Sequence, residues 1–220
     1  MPLTMQTTDQ SNPATETLLN EIAEHGYAIS DDFLPLATVN ALNLQARALH
    51  ASGRMRAAGI GKAAQHQVIK TMRGDSTCWL DENTASDEQA IYLARMQTLQ
   101  GNLNRAFFLG LAEFETHFAV YPPGSVYHRH LDQFRGQQER QVSAILYLNE
   151  DWQPDDGGEL RLYLDGGNEP VTGASRDYLD ILPLGGRLLL FLSGRFHHEV
   201  LPARRERISL TGWFRTREQQ

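Results

Sequence analysis

Beyond Gly110 the chain breaks into short apolar runs separated by Gly, Pro, Asn and Asp, and this texture limits what it can fold into. Closely spaced runs of that kind predict strands of a sandwich or barrel. They are expected at Glu113 to Tyr121, Val126 to His130, Arg140 to Leu148, Leu160 to Leu164, Asp177 to Ile181, Arg187 to Leu192, His198 to Leu201 and Arg207 to Phe214. Before Gly110 the period is helical. Leu18, Leu19, Ile22 and Ala23 predict a helix from Thr15 that stops at Gly26, followed by a short strand, Tyr27 to Ser30. Further helices are expected over Leu36 to Leu49 and over Asp87 to Leu109, the latter with Ile91, Ala94, Leu99, Leu103 and Phe107 along its apolar stripe. Helices first and antiparallel strands afterwards predict an α+β fold, with helices bracing one face of a double-layered β barrel. Residues 1–14, rich in Thr, Gln, Ser and Asn, read as a mobile leader. Residues 15–220 read as one domain, with helical support to about residue 110 and a barrel core over about 111–215.

Composition narrows the function classes. A formal net charge of −7 argues against broad attraction to nucleic acid and favours a protein or small-molecule substrate. Cys78 is the one cysteine, so no intrachain disulfide can form, and a cytoplasmic protein is expected. No run approaches the roughly 20 apolar residues a spanning helix needs, so no membrane partner is expected.

The chemistry concentrates in a few residues. In an extended strand residues two apart point to the same side, so His130 and Asp132 can grip one cation together. Two imidazoles and a hard carboxylate on one face of an octahedron suit Fe(II) and leave the opposite face open for dioxygen and substrate. His128 and His130 raise a competing pair of histidines, but positions 133–135 are Gln, Phe and Arg, without the nearby glutamate that pattern wants. A third ligand must come from further along. His197 and His198 are adjacent, and at most one can face inward if the segment is extended.

Alternation in the last strand puts Arg207, Ser209, Thr211 and Trp213 on one face, with Ile208, Leu210 and Phe214 on the other. An arginine pointing into a barrel needs an anion, and its planar guanidinium can hold a carboxylate by two parallel hydrogen bonds. The distal carboxylate of 2-oxoglutarate meets that need, and Tyr147 can bring its phenol to the same group.

Together these residues resemble the prolyl hydroxylases of the Fe(II)- and 2-oxoglutarate-dependent oxygenase superfamily, in particular the animal oxygen-sensing group. The likeness runs from Arg73 to Phe214 and includes Tyr121-Pro122, Tyr127 to Asp132, Arg140, Ile145 to Asn149, Asp151-Trp152, Gly157-Gly158 and His198-Glu199-Val200. The resemblance implies a double-stranded β-helix, a distorted jelly roll. It also implies that His130, Asp132 and His198 bind iron, His198 standing nine residues before Arg207 as in related oxygenases. Arg207 and Tyr147 would hold the distal carboxylate of 2-oxoglutarate, and Tyr121 would assist near its metal-bound end. Tyr127, Arg140 and Trp213 would line a prolyl pocket, and Arg73, Asp75 and Trp79 would belong to a mobile loop that folds over the substrate. The implied reaction consumes dioxygen and 2-oxoglutarate, with ascorbate as reductant, hydroxylates C4 of a prolyl residue and yields succinate and carbon dioxide. Similar bacterial proteins include hydroxylases of elongation factor Tu, which is the partner expected, with the enzyme acting as a monomer.

This chain also departs from that group. The linker between Asp132 and Val142 is longer than in the animal enzymes, and the stretch before His198 is shorter. The rival readings are an oxygenase of free proline or another small molecule, a nucleic-acid demethylase, and a catalytically silent metal-binding jelly-roll sensor. The demethylase reading lacks its second arginine, since the residue six beyond Arg207 is Trp213.

Overall fold

The computed structural model describes residues 13–58, 73–133, 138–164 and 177–217. Helix α1 spans Pro13–His25 and is followed by β1, Tyr27–Ser30, and α2, Leu36–Ala51. Two short strands, β2 at Arg56–Ala57 and β3 at Ser76–Trp79, precede α3, Asp87–Phe107. The remaining strands are β4 Leu111–Tyr121, β5 Tyr127–His130, β6 Arg140–Tyr147, β7 Leu160–Tyr163, β8 Tyr178–Ile181, β9 Leu188–Leu192, β10 His198–Val200 and β11 Arg207–Thr216. They form a seven-stranded sheet in the order β1-β9-β6-β11-β4-β3-β2 and a four-stranded sheet in the order β5-β10-β7-β8. Every pairing between strands is antiparallel. Two such sheets with few helices make the jelly-roll double-stranded β-helix that the resemblance implies.

Alternation divides the large sheet into two chemical faces. Phe118 and Val120 of β4, Val142, Ala144 and Leu146 of β6, Leu188 and Leu190 of β9, and Ile208, Leu210 and Phe214 of β11 share one buried cluster with Leu18, Leu42, Tyr92 and Met96 of the helices. The opposite face carries Ile145, Tyr147, Leu189 and Phe191, which pack on Leu160, Leu162 and Ile181 of the small sheet. A one-residue slip of any of these strands would exchange the two sets, so burial of the helix-facing set pins the register. The inner face is what the small sheet closes over.

Several expectations need correction. Helix α1 starts at Pro13, inside the segment read as leader, because proline suits the first helical turn; residues 1–12 lie outside the described residues. The buried stripe of α3 is Tyr92, Met96, Leu99 and Leu103, whereas Ile91 is 49% exposed and Ala94 faces solvent. Tyr92, absent from the expected stripe, is fully buried and belongs to the face that meets the sheet. The segment from Arg73 to Trp79, expected to be a mobile loop, is a strand over Ser76–Trp79, paired with β4 from Ser76↔Val120 to Trp79↔His117. Ladder hydrogen bonds to the long central β4 hold it in the sheet.

Asn149, just after β6, ties the ends of three segments. Its side chain donates to the Pro183 carbonyl at 2.8 Å and accepts from the Ile208 backbone N–H at 2.7 Å, and it is buried. Asn149→Ala would strand both partners, and buried groups left unpaired cost about 1–3 kcal/mol each. Urea unfolding should show a loss of about 2–6 kcal/mol on that basis.

Candidate metal centre

His198 and His130 are direct cross-strand partners in the small sheet. Their rings lie 4.2 Å apart between centroids. Asp132, just past the end of β5, completes a group in which one ligand atom from each residue lies within 4.8 Å of the others. His130 Nε2 is 3.6 Å from Asp132 Oδ1, and His198 Nε2 is 3.7 Å from Asp132 Oδ2. In each histidine Nδ1 faces a backbone carbonyl, that of His128 at 2.7 Å and that of Phe196 at 3.2 Å. A carbonyl only accepts, so Nδ1 carries the proton and Nε2 presents a lone pair to the centre. Tyr127 stacks on the His130 ring at 3.6 Å, and Phe191 meets that of His198 edge-on at 4.7 Å.

Asp132 is anchored from the other sheet. The Ser143 hydroxyl of β6 donates to Asp132 Oδ2 at 2.7 Å and lies 2.8 Å from the Ser193 hydroxyl. Having one proton, Ser143 must accept from Ser193. Burial raises the Asp132 pKa, but His198, His130 and Ser143 together hold it well below the usual carboxylate range. His198 is pushed down to about 4 by burial and by the neighbouring His130, which keeps the imidazole neutral and able to ligate near neutral pH. His128 is exposed and offers the centre only its backbone carbonyl. Of the adjacent pair it is His198, not His197, that joins Asp132.

A buried cation is linked to this group through Tyr121, which packs on Tyr127 and so on the His130 ring. Arg207 is 2% exposed, and its Nε donates to the Gly158 carbonyl at 2.9 Å. Its guanidinium sits between two phenol rings, 5.2 Å from the centroid of Tyr121 and 5.0 Å from that of Tyr147. Arg207 Nη2 and the Tyr147 hydroxyl are both buried without a hydrogen-bond partner among the described residues. Burial raises the Tyr147 pKa against the opposing pull of Arg207, so the phenol stays a donor. A buried guanidinium with no carboxylate partner is costly, and a ligand carboxylate accepting from both orphaned donors would relieve that cost. Gly158 makes room for this arginine: at φ +73° a Cβ there would sit 2.8 Å from Ala203 Cβ and 3.4 Å from Arg207 Cδ.

The other expected residues make contacts with one another. Arg73 makes a two-point ion pair with Asp75 at 2.7 and 2.6 Å, and its guanidinium lies 4.5 Å from the Tyr127 ring centroid. Arg140 lies 3.6 Å over the Trp213 ring and donates to Glu115 at 2.9 Å. Trp79 is 53% exposed and 6.2 Å from Trp213 between centroids. Ser143, Ser193, Glu115 and His117 were missed from the sequence. Strand alternation was the available signal, since it puts Ser143 with Tyr147 and puts Glu115 and His117 with Tyr121 on the inner face.

Residues 116–215 match the 2OG-Fe(II) oxygenase superfamily. A prolyl-4-hydroxylase of Pseudomonas putida superposes with a TM-score of 0.81 at 45% identity, covering 92% of this chain and 100% of that one. The chain belongs to the 2OG-Fe(II) oxygenase superfamily. A Trichoplax adhaerens prolyl hydroxylase, solved with a peptide fragment of the hypoxia-inducible factor oxygen degradation domain, superposes at a TM-score of 0.76 with 29% identity, covering 91% and 88% of the two chains. Rat Egl nine homolog 1 is 31% identical over 209 residues, 91% of this chain and 58% of that protein. The chain spans about half the length of the curated relatives it matches. In this superfamily the centre takes Fe(II) and 2-oxoglutarate, and the donor set and the two orphaned groups fit both.

Two outcomes follow from this geometry. Ser143→Ala removes the hydroxyl that orients Asp132 and should weaken divalent-metal affinity about tenfold, measured by competition with a fluorescent chelator. In the metal-free protein His117 and His198 both titrate near 4, against an ordinary 6.5. The unfolded chain therefore binds more protons in that window, and stability should fall as pH drops from 6.5 towards 4. Thermal unfolding in chelator would read this directly, and a flat midpoint across the window would contradict it.

Proposed function

We propose that this chain is an Fe(II)- and 2-oxoglutarate-dependent dioxygenase that hydroxylates C4 of a prolyl residue in a protein. The observation that carries the reading is the buried Arg207–Tyr147 pair, with its unpartnered donors, together with the His130–Asp132–His198 group. His130, Asp132 and His198 would hold the iron. Arg207 and Tyr147 would take the distal carboxylate of 2-oxoglutarate, with Tyr121 over the Arg207 guanidinium and towards the other end of the cosubstrate. When bound, iron and 2-oxoglutarate supply the oxidising chemistry, with succinate and carbon dioxide as co-products.

What the chain's own side chains do is position and shield. Ser143 fixes the carboxylate of Asp132, and the backbone carbonyls of His128 and Phe196 fix the two imidazoles. Tyr127, Arg140 and Trp213 form the wall of the prolyl pocket, and Arg73, Asp75 and Trp79 extend it at the rim. The strand over Ser76–Trp79 ties that part of the segment to β4. A macromolecular substrate is supported by the relatives, since the Trichoplax enzyme was solved with a peptide. Elongation factor Tu is the first target to assay, given the likeness to bacterial hydroxylases of that protein, with ascorbate included as reductant. A cytoplasmic monomer fits this reading and the single thiol of Cys78.

The test is mass spectrometry of elongation factor Tu and of whole cytosolic protein after incubation with the enzyme, Fe(II), 2-oxoglutarate and dioxygen. Proline should gain the mass of one oxygen atom with the native chain and not with Asp132→Ala. Arg207→Ala should raise the KM for 2-oxoglutarate roughly 100-fold, the scale of losing one partner of a buried charge pair. Full turnover by Asp132→Ala would overturn the assignment of the centre.

A further inference from the structure

His117 lies on the inner face of β4, with Thr211 of β11 and Trp79 of β3 as its cross-strand partners. It is 3% exposed. Its ring meets Trp79 edge-on at 4.8 Å between centroids and lies 5.6 Å from Trp213. Nδ1 is 3.1 Å from the carbonyl oxygen of Phe118, which can only accept, so Nδ1 holds the proton and Nε2 the lone pair. Burial and the nearby Arg73 push His117 down to about 4 against the pull of Asp75, and the ring is neutral at neutral pH. Among the described residues the hydrogen bond of this ring is the one made by Nδ1, which leaves Nε2 as the acceptor.

The neighbouring indole is its complement. Trp213 Nε1 is buried and lacks a partner among the described residues. Arg140 covers that indole and is itself held by Glu115, which Arg215 contacts at 3.2 Å, so the ring is fixed in place. The two rings, 5.6 Å apart between centroids, thus carry a donor and an acceptor on neighbouring side chains of the inner face. In an extended chain the N–H and C=O of a single residue point to the same side, and an antiparallel strand partner meets both at once. Two side chains can do the same for a peptide laid along the wall.

We propose that His117 is a specificity-determining residue that, with Trp213, reads the backbone N–H and C=O of one extended substrate residue next to the target proline. This rests on the peptide-hydroxylase reading above. His117 accepts from the substrate N–H, and Trp213 donates to its C=O.

The test uses the full chain loaded with Fe(II) and 2-oxoglutarate and a library of short, acetylated and amidated peptides with a central proline. The best-hydroxylated peptide is then remade with each backbone amide replaced in turn by an ester, which deletes one N–H. One ester should lower kcat/KM about tenfold with the native chain and with His117→Gln, which keeps an acceptor, the scale of one hydrogen bond. His117→Leu should be about tenfold poorer on the amide peptide, indifferent to that ester, and unchanged in its KM for 2-oxoglutarate. Peptide titrations followed by tryptophan fluorescence should give Kd values in the same pattern, which a merely structural role of His117 would not produce. Equal ester penalties in native and His117→Leu chains, or amide turnover by His117→Leu within twofold of native, would overturn the proposal while leaving the hydroxylase reading standing. If the native chain hydroxylates no peptide of the library, the peptide reading falls and this proposal with it.

Discussion

The centre depends on one hydrogen bond that crosses between the sheets, from Ser143 to Asp132. His130 and His198 belong to the small sheet and would face each other wherever that sheet lay, because they are paired in its ladder. Asp132 stands just beyond β5, where no ladder fixes it. The hydroxyl pair Ser143–Ser193, rooted in the large sheet, sets where the carboxylate points and so brings the two layers to one focus. Residues from both layers are needed for three ligands and a buried arginine to share a chamber.

The large sheet supplies the second half of that chamber by register alone. Arg207 is opposite Tyr121, and Ser209 is opposite both Ala119 and Tyr147, so the cation and its two phenols arrive side by side. Burial of Ile208, Leu210 and Phe214 against the helices forces Arg207 to the inner face. The hydrophobic effect thus positions a charge that it would otherwise exclude, and the strain of that position is what makes the pocket selective for an anion.

Much of this was legible in the chain. The period-two strands, the Arg207 face and the His-x-Asp pair all follow from local geometry, and strand bounds agree with expectation to within a few residues. What was misread has physical causes. Ser76–Trp79 is short and polar, and it becomes a strand because β4 offers it a free edge. The α3 stripe depended on which side of Tyr92 met the sheet. The roles of Ser143, Glu115 and His117 depend on partners 11, 25 and 94 residues away, namely Asp132, Arg140 and Thr211 for Ser143, Glu115 and His117 respectively.

The sequence by itself determined which side chains share a face of each strand, since alternation is a property of the extended backbone, and it set His130 with Asp132 on one such face and Arg207 with Trp213 on another. Only the tertiary structure decided between His197 and His198, joined Asp132 to Ser143, and laid His117 against Trp213. Those are contacts between strands distant in the chain, and they exist only where two sheets close over a common interior.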